Sequence, residues 1–411
     1  MIQLSRRQFG GLMAAAAAQT GNLFGISSDA SRIDDVLRSG MQKRGIPSVV
    51  ALACNADQIL YSGAFGPRDG ASSVAVAADS IFQIASMTKP LTAVAAMQLV
   101  EQGKVALDEP VAKFLPKLAN PQVLEGFDVA GKPVLRPAKT AITLRHLLTH
   151  TSGMAYSPWH GQMFKYSQQF PIPNSEIAPV VPLMFEPGTS WQYGVSADWT
   201  GRLVEAISGQ NLAKYFQDNI QDPLGMTDTA FNVDPKKFDR LVGRYQRSPE
   251  GKFVAVPRTL PAPVSDYNGG GGLASTGLDY VKFMQMILRS GLAGVNTQIL
   301  SARSIEMMLK NQIGDIQAGK MKSLSPNLSA DVDTNPGQVD HWGLGFLRQG
   351  KPQDGMRATG SVSWAGIYNT YFWIDPTRRI AGVILMQYLP FFDSAAIGLL
   401  GDYERAVYAN V

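Results

Sequence analysis

The feature that most constrains this chain is a serine and a lysine three residues apart, at the start of an apolar segment. Ser86 and Lys89 form the only Ser-x-x-Lys pattern in the 411 residues. Pro90 follows directly. Because proline is tolerated in the first turn of a helix but not in its interior, the pattern predicts a helix that begins here. The alanine-rich run at residues 91–97 predicts that this helix continues to about residue 102.

The start of a helix favours chemistry at Ser86. The free backbone N–H groups and the helix dipole stabilise a developing negative charge at that end. Lys89 is three residues further on, so its side chain returns to the same face of the helix. A hydroxyl and an amine placed in this way form an activated nucleophile. The same two residues also fit a plain helix cap followed by a solvated lysine, so the pattern alone leaves both interpretations open.

The composition narrows the class of protein. Apolar residues make up 45% of the chain and charged residues 17%, which is typical of a globular protein with a sizeable core. The formal charge of +4 is small and no basic block is present, so nucleic acid is not an expected partner. No apolar run is long enough to cross a bilayer. Cys54 is the single cysteine, which excludes an internal disulfide, and its apolar surroundings predict a buried thiol.

The first 25 residues have a pattern that is typical of a targeting segment. Arg6 and Arg7 precede Phe9, a short apolar stretch and five consecutive alanines. Paired arginines, a weakly apolar run and small residues at the cleavage site are typical of a twin-arginine signal peptide. We therefore expect an exported, periplasmic protein.

The patterns of apolar residues and prolines divide the rest of the chain into two parts. Strand-like runs at residues 49–53 and 58–64 precede the Ser86 helix, and four more follow at 343–348, 357–364, 368–374 and 380–388 before a final helix at 393–408. Between them, prolines and helical stretches alternate with few strand-like runs. We predict an α+β protein in which residues 28–104 and 265–411 form a sheet domain and residues 105–264 form a mostly helical inserted domain.

Other nucleophile systems are not recognisable. A Gly-x-Ser-x-Gly elbow is absent from the whole sequence. His146 and His150 have the spacing of a zinc helix, but Leu147 stands where the glutamate is expected, so capping and packing are the favoured roles. A Ser-His-Asp triad has no recognisable motif. A serine without histidine needs another base, and Tyr193, at the entrance to a predicted helix, is a candidate beside Lys89.

Six motifs occur in an order that carries a family resemblance. They are Ser86-Met87-Thr88-Lys89, Leu147-Leu148-Thr149-His150-Thr151-Ser152-Gly153, Pro187-Gly188-Thr189, Tyr193-Gly194-Val195-Ser196, Gly270-Gly271-Gly272-Leu273 and Trp364-Ala365-Gly366. From about residue 30 to the C-terminus the chain resembles the serine β-lactamase-like superfamily. Within it, the chain looks like the class C β-lactamase-related esterases called family VIII carboxylesterases.

The resemblance implies a fold and a mechanism. The fold would be that of β-lactamases and transpeptidases, an antiparallel sheet flanked by helices with a helical insertion. Ser86 would be the acylated nucleophile, and Lys89 and Tyr193 its base system. The oxyanion hole would consist of the backbone N–H groups of Ser86 and Ile367. No cofactor or metal is implied.

Two departures from the family pattern predict the substrate. Trp364 stands where β-lactamases carry a cation, so a β-lactam carboxylate loses a charge-assisted partner. Val195 stands where they carry an asparagine that holds a substrate amide. With Ala365, Gly366 and the aromatic Trp159 and Tyr156, these residues predict an apolar substrate site. The list of expected substrate-binding residues is therefore Trp364, Ala365, Gly366, Val195, Trp159 and Tyr156.

The expected function is hydrolysis of small, neutral, short-chain esters by a serine carboxylesterase through an acyl-Ser86 intermediate. The same Ser-Lys-Tyr machinery also serves β-lactamases, D-aminopeptidases and acyltransferases, which remain alternatives. A non-catalytic penicillin-binding-like protein is the more distant alternative.

Overall fold

A seven-stranded antiparallel sheet drawn from both ends of the chain forms the centre of the molecule. The computed structural model describes residues 28–71, 73–173, 176–294 and 297–411, so the predicted signal segment lies outside the described residues. The strands are β1 Val49–Asn55, β2 Ile59–Phe65, β3 Phe82–Gln83, β4 Gln122–Phe127, β5 Pro133–Pro137, β6 Tyr245–Arg247, β7 Phe253–Ala255, β8 Ala274–Ser275, β9 Lys320–Met321, β10 Val332–Asp333, β11 His341–Trp342, β12 Leu347–Arg348, β13 Val362–Gly366, β14 Thr370–Asp375, β15 Ile380–Leu385 and β16 Tyr388–Leu389. In the central sheet their order is β11-β12-β13-β14-β15-β1-β2.

Helices cover both faces of this sheet. The helices are α1 Ser28–Arg44, α2 Lys89–Glu101, α3 Leu144–Leu148, α4 Gly161–Gln169, α5 Ser196–Ser208, α6 Leu212–Phe216, α7 Asp222–Leu224, α8 Gly277–Leu288, α9 Ala302–Leu309 and α10 Ser394–Asn410. The terminal helices α1 and α10 pack on each other, and α8 packs on β1 and β15. No helix in the described part of the chain is both long enough and apolar enough to span a bilayer.

Strand β14 shows why the sheet is covered on both sides. All six of its residues are buried. Phe372 contacts the ring of Tyr280 on α8 at 5.1 Å between centroids, whereas the neighbouring Trp373 contacts Tyr403 on α10 at 5.5 Å. Successive side chains of a strand point to opposite faces, so a strand buried along its whole length requires a covering layer on each side.

The edge of the sheet near Ser86 is formed by β13. Strand β12 pairs with this strand only at Val362 and Ser363, so the segment from Trp364 to Gly366 extends past the end of the β12 ladder. A Cβ atom on Gly366 would lie 2.3 Å from the carbonyl oxygen of Ile84. Glycine is therefore needed for the strand to approach the turn that carries Ser86.

Residues 105–264 contain a hairpin that the sequence patterns did not predict. Strands β4 and β5 pair antiparallel, with an irregularity between Leu124 and Gly126. The helices of this region, α3 to α7, are short apart from α5, which packs against α2 and α3. The contact between α2 and α5 brings this region against the element that begins beside Ser86.

Candidate active site

A tight turn, rather than the α-helix itself, carries Ser86. Residues Ala85–Thr88 form a 3₁₀ turn and α2 begins at Lys89, so the predicted helix starts three residues late. Ala85 has a φ of +44°, which is unfavourable for a residue with a Cβ atom. The Thr88 hydroxyl donates to the Ala85 carbonyl at 2.7 Å and accepts from the Leu273 N–H at 3.3 Å. These contacts fix the strained turn and leave Ser86 half-buried.

Lys89 and Tyr193 converge on the hydroxyl of Ser86. The Lys89 ammonium donates to Ser86 Oγ at 3.0 Å, and the Tyr193 hydroxyl donates to the same oxygen at 2.7 Å. Lys89 is 3% exposed and Tyr193 is 4% exposed. Both distances are within the reach needed for proton transfer, and burial strengthens the electrostatic interactions between the groups. The structure thus brings together the three residues that the sequence predicted as nucleophile and base.

Lys89 has an unusual set of neighbours for a buried ammonium. Its Nζ donates to the Gly270 carbonyl at 2.5 Å and lies 4.7 Å from the ring centroid of Tyr193. A second aromatic ring, that of Tyr156, lies 5.5 Å away. Sequence analysis placed Gly270 in one of the six motifs and missed it as a partner of Lys89.

Aromatic rings surround Tyr193. The centroid distances from its ring are 4.9 Å to Trp364, 5.0 Å to His150, 5.2 Å to Tyr156 and 5.7 Å to Trp159. The indole N–H of Trp364 also donates to the Tyr193 hydroxyl at 3.4 Å. Three of the predicted substrate-binding residues therefore contact the tyrosine that faces Ser86. Their packing restricts its ring and keeps its hydroxyl directed at the serine.

His146 and His150, the two histidines with zinc-helix spacing, lie in different environments. His146 Nδ1 accepts from the Thr143 N–H at 3.3 Å in the capping box of α3. His150 is buried, and burial, helped by the charge of Lys89, holds its pKa well below the usual range, so its ring is neutral. Capping and packing are thus the roles that these contacts support. Sequence analysis did not predict that His150 packs on Tyr193.

Asp198 is a site neighbour that the sequence analysis missed. The Tyr156 hydroxyl donates to Asp198 Oδ2 at 3.0 Å, and the carboxyl is 3% exposed. Burial raises the pKa of Asp198, while the positive charge of Lys89 opposes that effect. An acid in the first turn of a helix is ordinarily a partner of the helix dipole, so its position in α5 gave no signal of this contact.

Val195 and Ala365 line two different cavities. Val195 and Tyr156 line a cleft of about 390 Å³ that also reaches Asp198. Ala365 lines a separate cavity of about 290 Å³ bounded by residues of β13 and α10. Trp364 lines this second cavity as well. Ile367, half-buried, directly follows Gly366 where the strand meets the Ser86 turn.

The fold and the site together define a class of protein. An antiparallel sheet with helices on both faces, and a Ser-x-x-Lys turn packed against the end of strand β13, is the β-lactamase/transpeptidase-like fold. The family model described as Beta-lactamase matches residues 33–401. The chain belongs to this family.

Curated relatives and solved structures cover nearly the whole chain. The chain is 31% identical over 405 residues to the ML-236A carboxylate methylbutanoyltransferase of Penicillium citrinum, which spans 93% of this chain and 94% of the relative. It is 32% identical over 347 residues to the lovastatin esterase of Penicillium rubens, covering 80% and 85% of the two chains. A mutant of simvastatin synthase from Aspergillus terreus superposes with a TM-score of 0.79 at 31% identity, covering 94% of this chain and 99% of that one.

Proposed function

We propose that this protein is a serine acyltransferase in which Ser86 takes an acyl group from an ester-type donor and passes it to the hydroxyl of a small organic acceptor. The observation that carries the proposal is the convergence of Lys89 and Tyr193 on Ser86 Oγ at 3.0 and 2.7 Å. Relatives named as methylbutanoyltransferases favour acyl transfer over the plain ester hydrolysis expected from the sequence. Both reactions share the same acyl-enzyme.

In the first half-reaction Ser86 becomes acylated. The Tyr193 phenolate, stabilised by the Lys89 ammonium, takes the Ser86 proton as Oγ attacks the donor carbonyl. The backbone N–H groups of Ser86 and Ile367 hold the oxygen that becomes negative. When the tetrahedral intermediate collapses, the bond to the donor's leaving oxygen breaks and that oxygen takes the proton from Tyr193.

In the second half-reaction the acceptor replaces the leaving group. Tyr193 takes the proton of the acceptor hydroxyl as its oxygen attacks the acyl carbonyl, and the bond to Ser86 Oγ breaks. Tyr193 then returns the proton to Ser86. If water occupies the acceptor position, the same step gives hydrolysis. The aromatic walls formed by Tyr156, Trp159 and Trp364 favour an organic acceptor over water because they offer apolar surface next to Tyr193.

The departures at Trp364 and Val195 support neutral substrates. The buried indole of Trp364 contacts Tyr193 instead of presenting a cation, and Val195 presents no amide to the cleft. A substrate carboxylate beside the serine would therefore be desolvated without a charged partner at residue 364. We propose a short, neutral acyl group as the transferred unit.

The test is the partition of the acyl-enzyme between two acceptors. The protein is incubated with an activated aryl ester of a short acid, with and without a small alcohol, and the new ester and the free acid are measured by chromatography. We expect the new ester to increase with the alcohol while release of the aryl group continues, and Ser86→Ala to abolish both products. Formation of free acid alone at every alcohol concentration would instead make the protein a hydrolase.

A carboxylesterase is the second candidate because a relative 32% identical to this chain is named as an esterase. That outcome changes the acceptor and keeps the roles of Ser86, Lys89 and Tyr193. The two candidates therefore differ only in the second half-reaction, and the partition experiment separates them directly.

Export by the twin-arginine route is a further part of the proposal. It rests on Arg6 and Arg7 in a short segment that has no acidic residue. Replacing both arginines by lysine should keep the protein out of the periplasmic fraction of a bacterial host. Periplasmic recovery of that variant at the wild-type level would contradict an export signal of this type.

A further inference from the structure

The buried charge of Lys89 has no ion-pair partner in direct contact. None of the ion pairs between described residues includes Lys89, although the side chain is only 3% exposed. Burying an ammonium without a compensating negative charge is strongly unfavourable. A carboxylate that acts across one intervening group would supply the compensation.

Asp198 is a carboxylate in the complementary position. It is 3% exposed, its Oδ2 accepts from Tyr156, and its Oδ1 has no hydrogen-bond partner among the described residues. Two other buried acids have a cation in direct contact, since Glu404 pairs with Arg357 and Asp393 pairs with Arg247. Asp198 therefore forms no ion pair with any described residue, and the side-chain hydrogen bond that it accepts comes from Tyr156.

Two groups connect Asp198 with Lys89. A Cβ atom on Gly270 would lie 2.6 Å from Asp198 Oδ1, so the carboxylate lies against the same residue whose carbonyl accepts from Lys89. Tyr156 forms the second connection, because its hydroxyl donates to Asp198 and its ring lies 5.5 Å from Lys89 Nζ. The Tyr156 N–H also donates to the Tyr193 carbonyl at 3.1 Å. A displacement of Asp198 would therefore affect the positions of both Lys89 and Tyr193.

We infer that Asp198 is a positioning residue that provides the buried counter-charge of Lys89 through Gly270 and Tyr156, and that it sets the pH at which Ser86 becomes nucleophilic. The inference rests on the proposed roles of Lys89 and Tyr193 as the base system. It adds a residue that forms no hydrogen bond with Ser86, whose hydroxyl bonds to Lys89 and Tyr193.

The sign of the effect follows from the charges that face this site. They are Lys89, Tyr193 and Tyr156, together with the neutral ring of His150. A negative Asp198 stabilises positive charge in this site. Replacing the carboxylate by an amide removes that stabilisation, so we expect the pH at which Ser86 is activated to move down.

The experiment follows the rate at which a fluorophosphonate labels Ser86 as a function of pH, in the wild type and in Asp198→Asn. We expect the rising limb to move to lower pH by about one unit or more, since a charge a few ångströms away typically shifts a titration by that much. A lower rate at every pH with an unchanged midpoint would show that Asp198 is only structural and would overturn the inference. A shift to higher pH would overturn it as well.

A matched control is available within the chain. Asp375 is also fully buried and accepts a tyrosine hydroxyl, that of Tyr408 at 3.1 Å, at the end of β14 remote from Thr370. Asp375→Asn should leave the midpoint unchanged even if it lowers the unfolding temperature. If Asp198→Asn does not fold, Asp198→Ser removes the same charge with a residue that suits the first turn of a helix.

The readout separates this inference from the proposed function. Labelling of Ser86 does not depend on whether the acceptor is an alcohol or water, so a purely hydrolytic enzyme still tests the role of Asp198. A wild type whose Ser86 resists labelling at every pH would overturn the nucleophile assignment, and the inference with it.

Discussion

Replacement of Tyr193 by phenylalanine is the most informative single change, because it removes one oxygen from a packed ring. The hydroxyl lies 2.7 Å from Ser86 Oγ, and the ring contacts His150, Tyr156 and Trp364 at centroid distances of 4.9–5.2 Å. Those ring contacts do not involve the oxygen, so the variant should fold with its aromatic packing intact. The variant loses the proton transfer to and from Ser86, together with the 3.4 Å hydrogen bond that the Trp364 indole N–H donates to the hydroxyl.

The expected loss can be estimated from the role of the group. A positioned general base contributes roughly 10²- to 10⁴-fold to a rate. At about 1.4 kcal/mol per factor of ten, this corresponds to about 3–5 kcal/mol of transition-state stabilisation. Lys89 still contacts Ser86 Oγ at 3.0 Å, which favours a residual activity above that of Ser86→Ala.

The assay is the steady-state release of an aryl alcohol from a short-chain aryl ester. Tyr193→Phe should lower kcat, with little effect on the unfolding temperature. Tyr403→Phe is the control, because its buried hydroxyl has no hydrogen-bond partner in the described part of the chain and the residue lies on α10. If Tyr193→Phe retained activity within a factor of ten of the wild type, the assignment of Tyr193 as the base would be refuted.

Three further predictions concern the approach of β13, the buried ion pair and the thiol. Gly366→Ala should lower kcat/KM by about a hundredfold, since its Cβ would lie 2.3 Å from Ile84 O and displace the strand from the Ser86 turn; wild-type kinetics would contradict this. Glu404→Gln should reduce the free energy of unfolding by about 3–5 kcal/mol in denaturant titrations, because it leaves Arg357 buried without its partner; a loss below 1 kcal/mol would argue against the pair. Cys54 should resist alkylation in the native protein and react on unfolding, as followed by intact mass, because burial raises the pKa of its thiol to about 12; rapid native labelling would be inconsistent with that burial.

Much of the fold could be predicted because the apolar patterns are strong. The run at 49–53 became β1, and the predicted strands at 368–374 and 380–388 became β14 and β15 with small changes at their ends. Residues 357–361 were wrongly included in the strand that became β13, which begins at Val362. The hairpin β4–β5 was missed because Pro133 and Pro137 disfavour a strand in isolation; pairing with β4 overrides that preference.

The site residues that belong to catalytic sequence motifs could be predicted. The residues that reach the site only through tertiary contacts could not. Ser86, Lys89 and Tyr193 are 107 residues apart at most, and no local pattern links Tyr193 to the serine; the ordered motifs supplied that link. Gly270 and Asp198 could not be found in this way. Their contacts with the site depend on how closely α2 and α5 pack in the folded chain. The residue type at a single position does not predict how closely two helices pack.

Trapping of the acyl-enzyme tests the proposal that Ser86 carries the acyl group between donor and acceptor. The protein is mixed briefly with an activated short-chain ester, quenched in acid, digested and analysed by mass spectrometry. We expect one added acyl group on the peptide that contains Ser86, and we expect it to disappear when the alcohol acceptor is added before the quench. An acyl group on any other residue, or turnover with no acyl group on Ser86 at any time, would contradict it.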